Sequence, residues 1–330
     1  MASFVSPSSS SIIACLLFVI VSFLQGLVAA AGVTFTFTNR CGGTVWPGVL
    51  ANSGSPPLET TGFALSPGEA RSLAAPTGWS GRFWARTGCA FDGTSGGKCA
   101  TGDCGSGEAE CHGSGATPPA TLVEFTLGDG DGGKEDYYDV SLVDGYNVPV
   151  VVEPSAAGCP ATGCLVDLNE RCPAELRAPA GEGCRSACEA FDRPEYCCSG
   201  AFGGPDTCRP SAYSQAFKAA CPRAYSYAYD DATSTFTCAY SGTAAYSVVF
   251  CPRAGASSSL KSSNDPLPRP GDVVAGAQVA ADTWLASLAT GENGAAVATT
   301  AGPALSGAGG GRGLAGVVAL AKTRLGRVIN

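Results

Sequence analysis

The cysteines constrain this chain more than any other feature. Of seventeen, Cys15 lies in an apolar N-terminal run and the other sixteen fall between Cys41 and Cys251. An even set in a chain that passes through an oxidising export route predicts disulfide pairing. Zinc would call for cysteine mixed with histidine at short spacings. This chain has a single histidine, His112, and no Cys-x-x-Cys pair, so no metal and no other cofactor is expected. Cys197 and Cys198 are too close for a relaxed bridge to each other and should take different partners. Beyond that the connectivity stays open, because sixteen cysteines allow roughly two million pairings.

The export route is itself legible. Ile12 to Val28 form an apolar run broken by Ser22 and by Gln25 and Gly26, and Ala29, Ala30 and Ala31 follow. This pattern reads as a secretory signal peptide over residues 1–31, cleaved near Ala30 or Ala31. The alternative, a membrane anchor, needs a longer run.

One histidine also narrows the chemistry. Ser-His-Asp and Cys-His mechanisms would all have to use His112, which sits beside Cys111 in a Gly-rich loop and reads as a solvated loop residue. With the cysteines oxidised, carboxylates are the remaining reactive groups. Residues 32–253 carry 14 Lys and Arg against 24 Asp and Glu. An acidic body excludes nucleic acid, whose phosphates demand a basic footprint, and leaves neutral sugars and cationic partners.

Residues 33–39, VTFTFTN, alternate strictly: Val33, Phe35 and Phe37 face one way and three threonines the other, the pattern of a half-buried strand. GRFWART, TLVEFTL, DYYDVSLV, YNVPVVVE, STFTCAY and AYSVVF are further short β-branched or aromatic stretches bounded by turn residues. Together they predict a mainly β sandwich or barrel. Between Cys159 and Cys221 the texture changes: GCRSACEAF and SAYSQAFKAA predict short helices, the second capped by Ser211 with Tyr213 and Phe217 one turn apart. From residue 254 to 330 the chain is rich in Ser, Ala, Gly and Pro and is expected to be a disordered tail. A lipid-anchor signal around Ser306, Gly307 and Ala308 is the minority alternative there; the apolar stretch from Leu314 to Ala321 is short for it and basic residues follow.

Residues 95–111, SGGKCATGDCGSGEAEC, resemble the signature of thaumatin-like proteins, with Cys99, Thr101, Gly102, Asp103, Cys104, Gly107 and Cys111 in place and Ser95 the one departure. NRCGGTVWPG, GRFWARTGC, PPATLVEFTL, YYDVSLVDGYNVPV, ELRAPAGEGC, EYCCSG, CPRAYSYAYDD and VVFCPR are similar to family segments in family order. The resemblance, over about residues 32–253, implies a thaumatin-like β-sandwich core, a disulfide-rich helical subdomain over about 159–221 and a small disulfide-stapled loop subdomain over about 87–123. It implies the pairs Cys41–Cys251, Cys89–Cys99, Cys104–Cys111, Cys159–Cys238, Cys164–Cys221, Cys172–Cys184, Cys188–Cys197 and Cys198–Cys208.

The same resemblance implies an acidic cleft built from Arg82, Glu124, Asp139, Asp144 and Asp230. Strand parity supports part of this independently. Glu124 lies opposite Val123, Phe125 and Leu127 on its strand, and Asp139 opposite Tyr138, Val140 and Leu142, so both leave the core on the same kind of face. Singly, each has a plainer reading: solvated strand residues for Glu124 and Asp139, a hairpin-turn residue for Asp144 before Gly145, a solvated loop for Asp230, and a neutralising cation in Arg82. As a set in family order they support the cleft, and the resemblance then implies a secreted, monomeric defence-type protein of the plant apoplast. Its cleft would bind cell-wall β-1,3-glucan or a cationic surface protein, with antifungal membrane perturbation as a consequence. Two alternatives stand beside it: a weak β-1,3-glucanase with Glu124 as general acid and Asp144 as nucleophile or base, and a structural or developmental wall protein without catalysis.

Overall fold

The computed structural model describes residues 32–91, 96–129, 134–179, 182–239 and 245–252. The signal peptide and tail expected from the sequence lie outside them. Among the described residues ten strands form two five-stranded sheets. The first has the order β3 (Ala70–Pro76), β1 (Gly32–Asn39), β10 (Ala245–Phe250), β7 (Val150–Pro154), β8 (Thr162–Gly163). The second runs β2 (Trp46–Ala51), β4 (Ser80–Arg86), β5 (Leu122–Thr126), β6 (Asp136–Ser141), β9 (Phe236–Cys238).

The alternation in β1 does what its period predicts: Val33, Phe35 and Phe37 are buried and Thr34 is exposed. Phe35 packs against Phe83 of β4 at 4.9 Å and Phe125 of β5 at 4.7 Å between ring centroids, and Phe125 meets Tyr246 of β10 at 4.8 Å. These rings join the inner faces of the two sheets, which makes the architecture a sandwich. Each fully buried aromatic contributes about 1.5–3 kcal/mol of transfer free energy. The inner face also holds a polar group. Asp136 is 1 % exposed and accepts from the Tyr246 hydroxyl at 2.6 Å and from the Gly128 amide at 2.8 Å, so its burial is satisfied.

Two strands lie where the alternation is weak. In β2, WPGVLA carries Pro47 and Gly48, which read as turn residues; Gly48 is needed because a Cβ there would lie 2.3 Å from the Trp84 ring. In β3, an edge strand, only Leu73 and Ala75 are buried. The hairpin expected at Asp144–Gly145 is corrected. Gly145 has φ 84° and its amide bonds the Leu142 carbonyl at 3.0 Å, so a tight turn forms. It carries the chain from β6 in one sheet to β7 in the other instead of pairing two neighbours.

Among the described residues the helices fall between Leu168 and Ser234. They are two 3-10 turns (Leu168–Arg171, Ala174–Leu176), α1 (Ala187–Phe191), α2 (Pro194–Cys197), a third 3-10 turn (Gly200–Phe202), α3 (Ala212–Ala220) and α4 (Asp231–Ser234). Ser211 caps α3, its hydroxyl accepting from the Ser214 amide at 3.1 Å. The disulfides are Cys41–Cys251, Cys89–Cys99, Cys104–Cys111, Cys159–Cys238, Cys164–Cys221, Cys172–Cys184, Cys188–Cys197 and Cys198–Cys208. Five of them lie in or anchor the helical region, whose short helices could not hold together on propensity alone.

Candidate functional site

Registry builds the site. Arg82 of β4 stands opposite Glu124 of β5, and Glu124 opposite Asp139 of β6. One cation and two carboxylates therefore form a row across three adjacent strands, on the face turned away from Phe83, Phe125 and Tyr138. Arg82 Nη2 lies 4.0 Å from Glu124 Oε1. The row marks a boundary on that face. On one side the next rung is Trp84, Leu122 and Ser141, all buried, with Trp84 and Leu122 packed under the Cys104–Cys111 loop. On the other side the rung is Ser80, Thr126 and Tyr137, and Tyr137 is 36 % exposed.

The helical side closes over Asp139, which is 8 % exposed. Tyr225 pairs beside β6, its amide bonding the Val140 carbonyl at 2.8 Å. Burial first, and the Asp139 charge next, push the Tyr225 hydroxyl well above its ordinary value, so it stays protonated and donates to Asp231 Oδ1 at 2.7 Å. Asp230 has a cation of its own: Lys218 Nζ lies 3.0 Å from Oδ2, which also accepts from the Ser226 amide and hydroxyl, each at 3.0 Å. Asp144 occupies the turn after β6, where its backbone carbonyl accepts from the Ala120 amide at 2.9 Å. Of the five residues expected to form a cleft, three thus share one row, and Asp230 is fixed on the helical side by a separate ion pair.

Comparison with known sequences places these strands in a family. The model of the Thaumatin family matches residues 39–252. The chain belongs to the thaumatin family. A thaumatin-like protein 1 of Arabidopsis thaliana is 59 % identical over 246 residues, covering 71 % of this chain and 94 % of the relative. Pathogenesis-related thaumatin-like protein 3.5 of Cryptomeria japonica is 53 % identical over 234 residues, covering 69 % and 94 %. Pathogenesis-related protein 5 of Arabidopsis thaliana is 53 % identical over 235 residues, covering 70 % and 95 %. This is the pathogenesis-related defence family of plants, and its many disulfides fit a secreted protein.

In this thaumatin-family chain one carboxylate near Asp144 was not legible in the sequence. Glu189, in the first turn of α1, is pushed up to about 7, chiefly by burial and further by the Asp144 charge, against the opposing pull of Arg185. The Ser-x-x-Glu spacing of Ser186 and Glu189 signals only a helix start, and Ser186 does cap α1 by accepting from the Glu189 amide at 3.2 Å. The consequence is a pH dependence. The folded state holds the Glu189 proton more tightly than the unfolded chain, whose ordinary value is 4.5. Stability is undiminished below that value and falls as pH rises from there to about 7. Glu189→Gln is expected to match the parent near pH 4 and, after allowing for screening at a partly exposed site, to exceed it by about 1–2 kcal/mol at neutral pH. Urea unfolding at a series of pH values checks this; a difference that does not grow with pH would refute it.

His112 lies in an exposed loop with φ 49°, its Nε2 2.8 Å from Glu108 Oε1. It faces the loop carboxylate and not the charged row.

Proposed function

We propose that this protein is a secreted, apoplastic defence protein that binds cell-wall β-1,3-glucan on the outer face of its second sheet, with antifungal action as the consequence. The row Arg82–Glu124–Asp139 carries the reading. A row of one donor and two acceptors, bordered by hydroxyls at Ser80 and Thr126 and by the exposed ring of Tyr137, suits a neutral polyhydroxylated chain. Carboxylates and guanidinium make charge-assisted hydrogen bonds to sugar hydroxyls, and the ring offers an apolar face to the sugar C–H groups.

Cleavage is the second reading: a glucanase needs two carboxyl groups across the scissile bond, one as acid and one as nucleophile or base, and Glu124 with Asp144 would fill those roles. Arg82→Ala and Glu124→Gln are each expected to weaken binding of laminaran about tenfold, the loss of one charge-assisted hydrogen bond, and Asp139→Asn, which lies under the helical side, less. Calorimetric titration reads the affinity and a reducing-sugar assay reads turnover. Unchanged affinity in all three variants would overturn the binding surface. Turnover by the parent that Glu124→Gln abolishes would replace it with the hydrolase reading. Binding of a basic protein but not laminaran would point to a cationic partner instead.

A further inference from the structure

Sheet edges are where a β sandwich still has main-chain hydrogen bonds to make. Among the described residues three of the four edges are covered or short. The segment through Thr61 and Phe63 covers β2: the Val49 amide donates to the Thr61 carbonyl at 2.9 Å and the Phe63 amide to the Pro47 carbonyl at 3.2 Å. β8 has two residues and β9 three. β3 differs, with seven residues along the open side of the first sheet.

The register fixes which groups this edge presents. The Asn39 amide donates to the Glu69 carbonyl at 3.0 Å, so Glu69 turns its main chain toward β1, and by alternation so do Arg71, Leu73 and Ala75. Ala70, Ser72 and Ala74 therefore turn their N–H and C=O groups outward, and among the described residues no main-chain group bonds to them. Pro76 comes next in that outward series, where the N–H it lacks is not needed. The side chains of Ala70, Ser72 and Ala74 are small, uncharged and exposed. Arg71, the one charged residue of the strand, points to the inner face. Its guanidinium lies 4.6 Å from the Phe63 ring centroid and 3.3 Å from Glu59 Oε1, drawn back from the edge.

A two-fold axis beside Ser72 matches this edge to itself. In antiparallel pairing Ser72 faces Ser72 of the second copy, and Ala70 faces Ala74 of the second copy. Each facing pair exchanges both of its N–H···O bonds, so every outward donor and acceptor of Ala70, Ser72 and Ala74 is used. Sliding by two residues would set Pro76 opposite Ala70 and forfeit a bond. Serine meets serine and alanine meets alanine, so no like charges oppose one another. A second copy supplies this match by symmetry.

We infer that two copies of this chain associate through β3, antiparallel about Ser72, joining their first sheets into one continuous sheet. The axis is perpendicular to that sheet, so both second sheets lie on the same side and both Arg82–Glu124–Asp139 rows face the same way. A paired molecule would present two binding surfaces to one polymer and gain avidity without new contacts. That consequence rests on the binding function proposed above; the pairing does not. One pair of strands is a small interface and both copies are acidic. The association is therefore weak, with a Kd of about 0.1–1 mM, and tightens as salt screens the repulsion.

Sedimentation equilibrium of the exported protein, disulfides intact, from about 10 μM to about 1 mM at about 0.15 M and 0.5 M salt, tests the pairing. The parent is expected to shift from monomer toward dimer across this range. Ser72→Lys sets like charges face to face at the axis and should weaken association about fivefold at the lower salt. Its thermal unfolding should match the parent, because Ser72 is exposed. Ala70→Glu combined with Ala74→Lys puts opposite charges in both facing pairs and should tighten association about fivefold. A parent that stays monomeric to about 1 mM at both salt concentrations would overturn the pairing. Dimerisation that neither variant shifts would lie on another surface and overturn it equally. No glucan enters the experiment, so either result leaves the proposed binding function standing.

Discussion

Replacing Cys41 and Cys251 together with alanine is expected to lower the unfolding free energy by about 5 kcal/mol. The bridge joins residues 210 apart, and the chain-entropy account gives about that value for a loop of this length. The other disulfides shorten the effective loop, but the dependence is logarithmic, so the reduction is small. The contrast with Cys104–Cys111 sharpens the expectation. That loop spans a separation of 7, and the same relation assigns it about 2–3 kcal/mol. Urea unfolding of the two double variants at one pH provides the comparison. Equal losses would show that native contacts around each bridge, and not constraint of the unfolded chain, set its contribution.

Arg86→Leu is expected to cost about 3–5 kcal/mol, the range for breaking a buried charged network by removing one partner. Arg86 is fully buried at the end of β4. Its Nε donates to the Trp46 carbonyl at 3.0 Å, Nη1 to the Glu108 carbonyl at 3.1 Å, and Nη2 to the Ala109 carbonyl. Burial lowers its value to about 10, with Asp103 and Glu110 opposing, so it remains a cation at neutral pH. A single side chain thus ties the Cys104–Cys111 loop to the sandwich. Leucine would take the Arg86 donor from the Trp46 and Ala109 carbonyls and leave the Glu108 carbonyl only the Ser106 hydroxyl, 3.0 Å away. Arg86→Lys should recover less than half of the loss, because one ammonium cannot reproduce the planar fork. Thermal unfolding reads both, and a lysine variant as stable as the parent would show that charge alone suffices. Gly62 belongs to the same arrangement: a Cβ there would lie 2.6 Å from Arg86 Nη2 and 2.1 Å from the Ala109 carbonyl oxygen.

What could be read in advance follows the range over which each signal acts. The period-two pattern of β1 and the parity of Glu124 and Asp139 are local, and both describe the strands as they stand. Parity states which face a side chain takes, but not what covers that face. The near-complete burial of Asp139 comes from Tyr225, 86 residues further along the numbering and brought beside β6 by the helical region. Asp144–Gly145 shows the same limit. The turn chemistry is local and correct, while the sheet that each flanking strand joins depends on Val150 pairing with Phe250. Arg86 sits within a stretch recognisable as a strand, yet its role depends on carbonyls 22 and 23 positions away. Glu189 is similar: helix position was readable from Ser186, but its environment is set by packing beside Asp144.

The parallel pairing of β1 with β10 has a mechanical consequence. Gly32 begins at one end of the first sheet and Phe250 finishes at the other, with Asn39 opposite Phe250 and Cys41 joined to Cys251 just past them. Tension applied between residues 32 and 252 loads the β1–β10 hydrogen bonds in shear and then passes straight through the bridge. In the oxidised protein only the first ten or so residues can pay out, about 35 Å of chain at full extension. Everything between Cys41 and Cys251 is shielded from the load. A molecule held at one end and pulled by the other would give up β1, with its core residues Phe35 and Phe37, and no further length until a reductant removed that one covalent shunt.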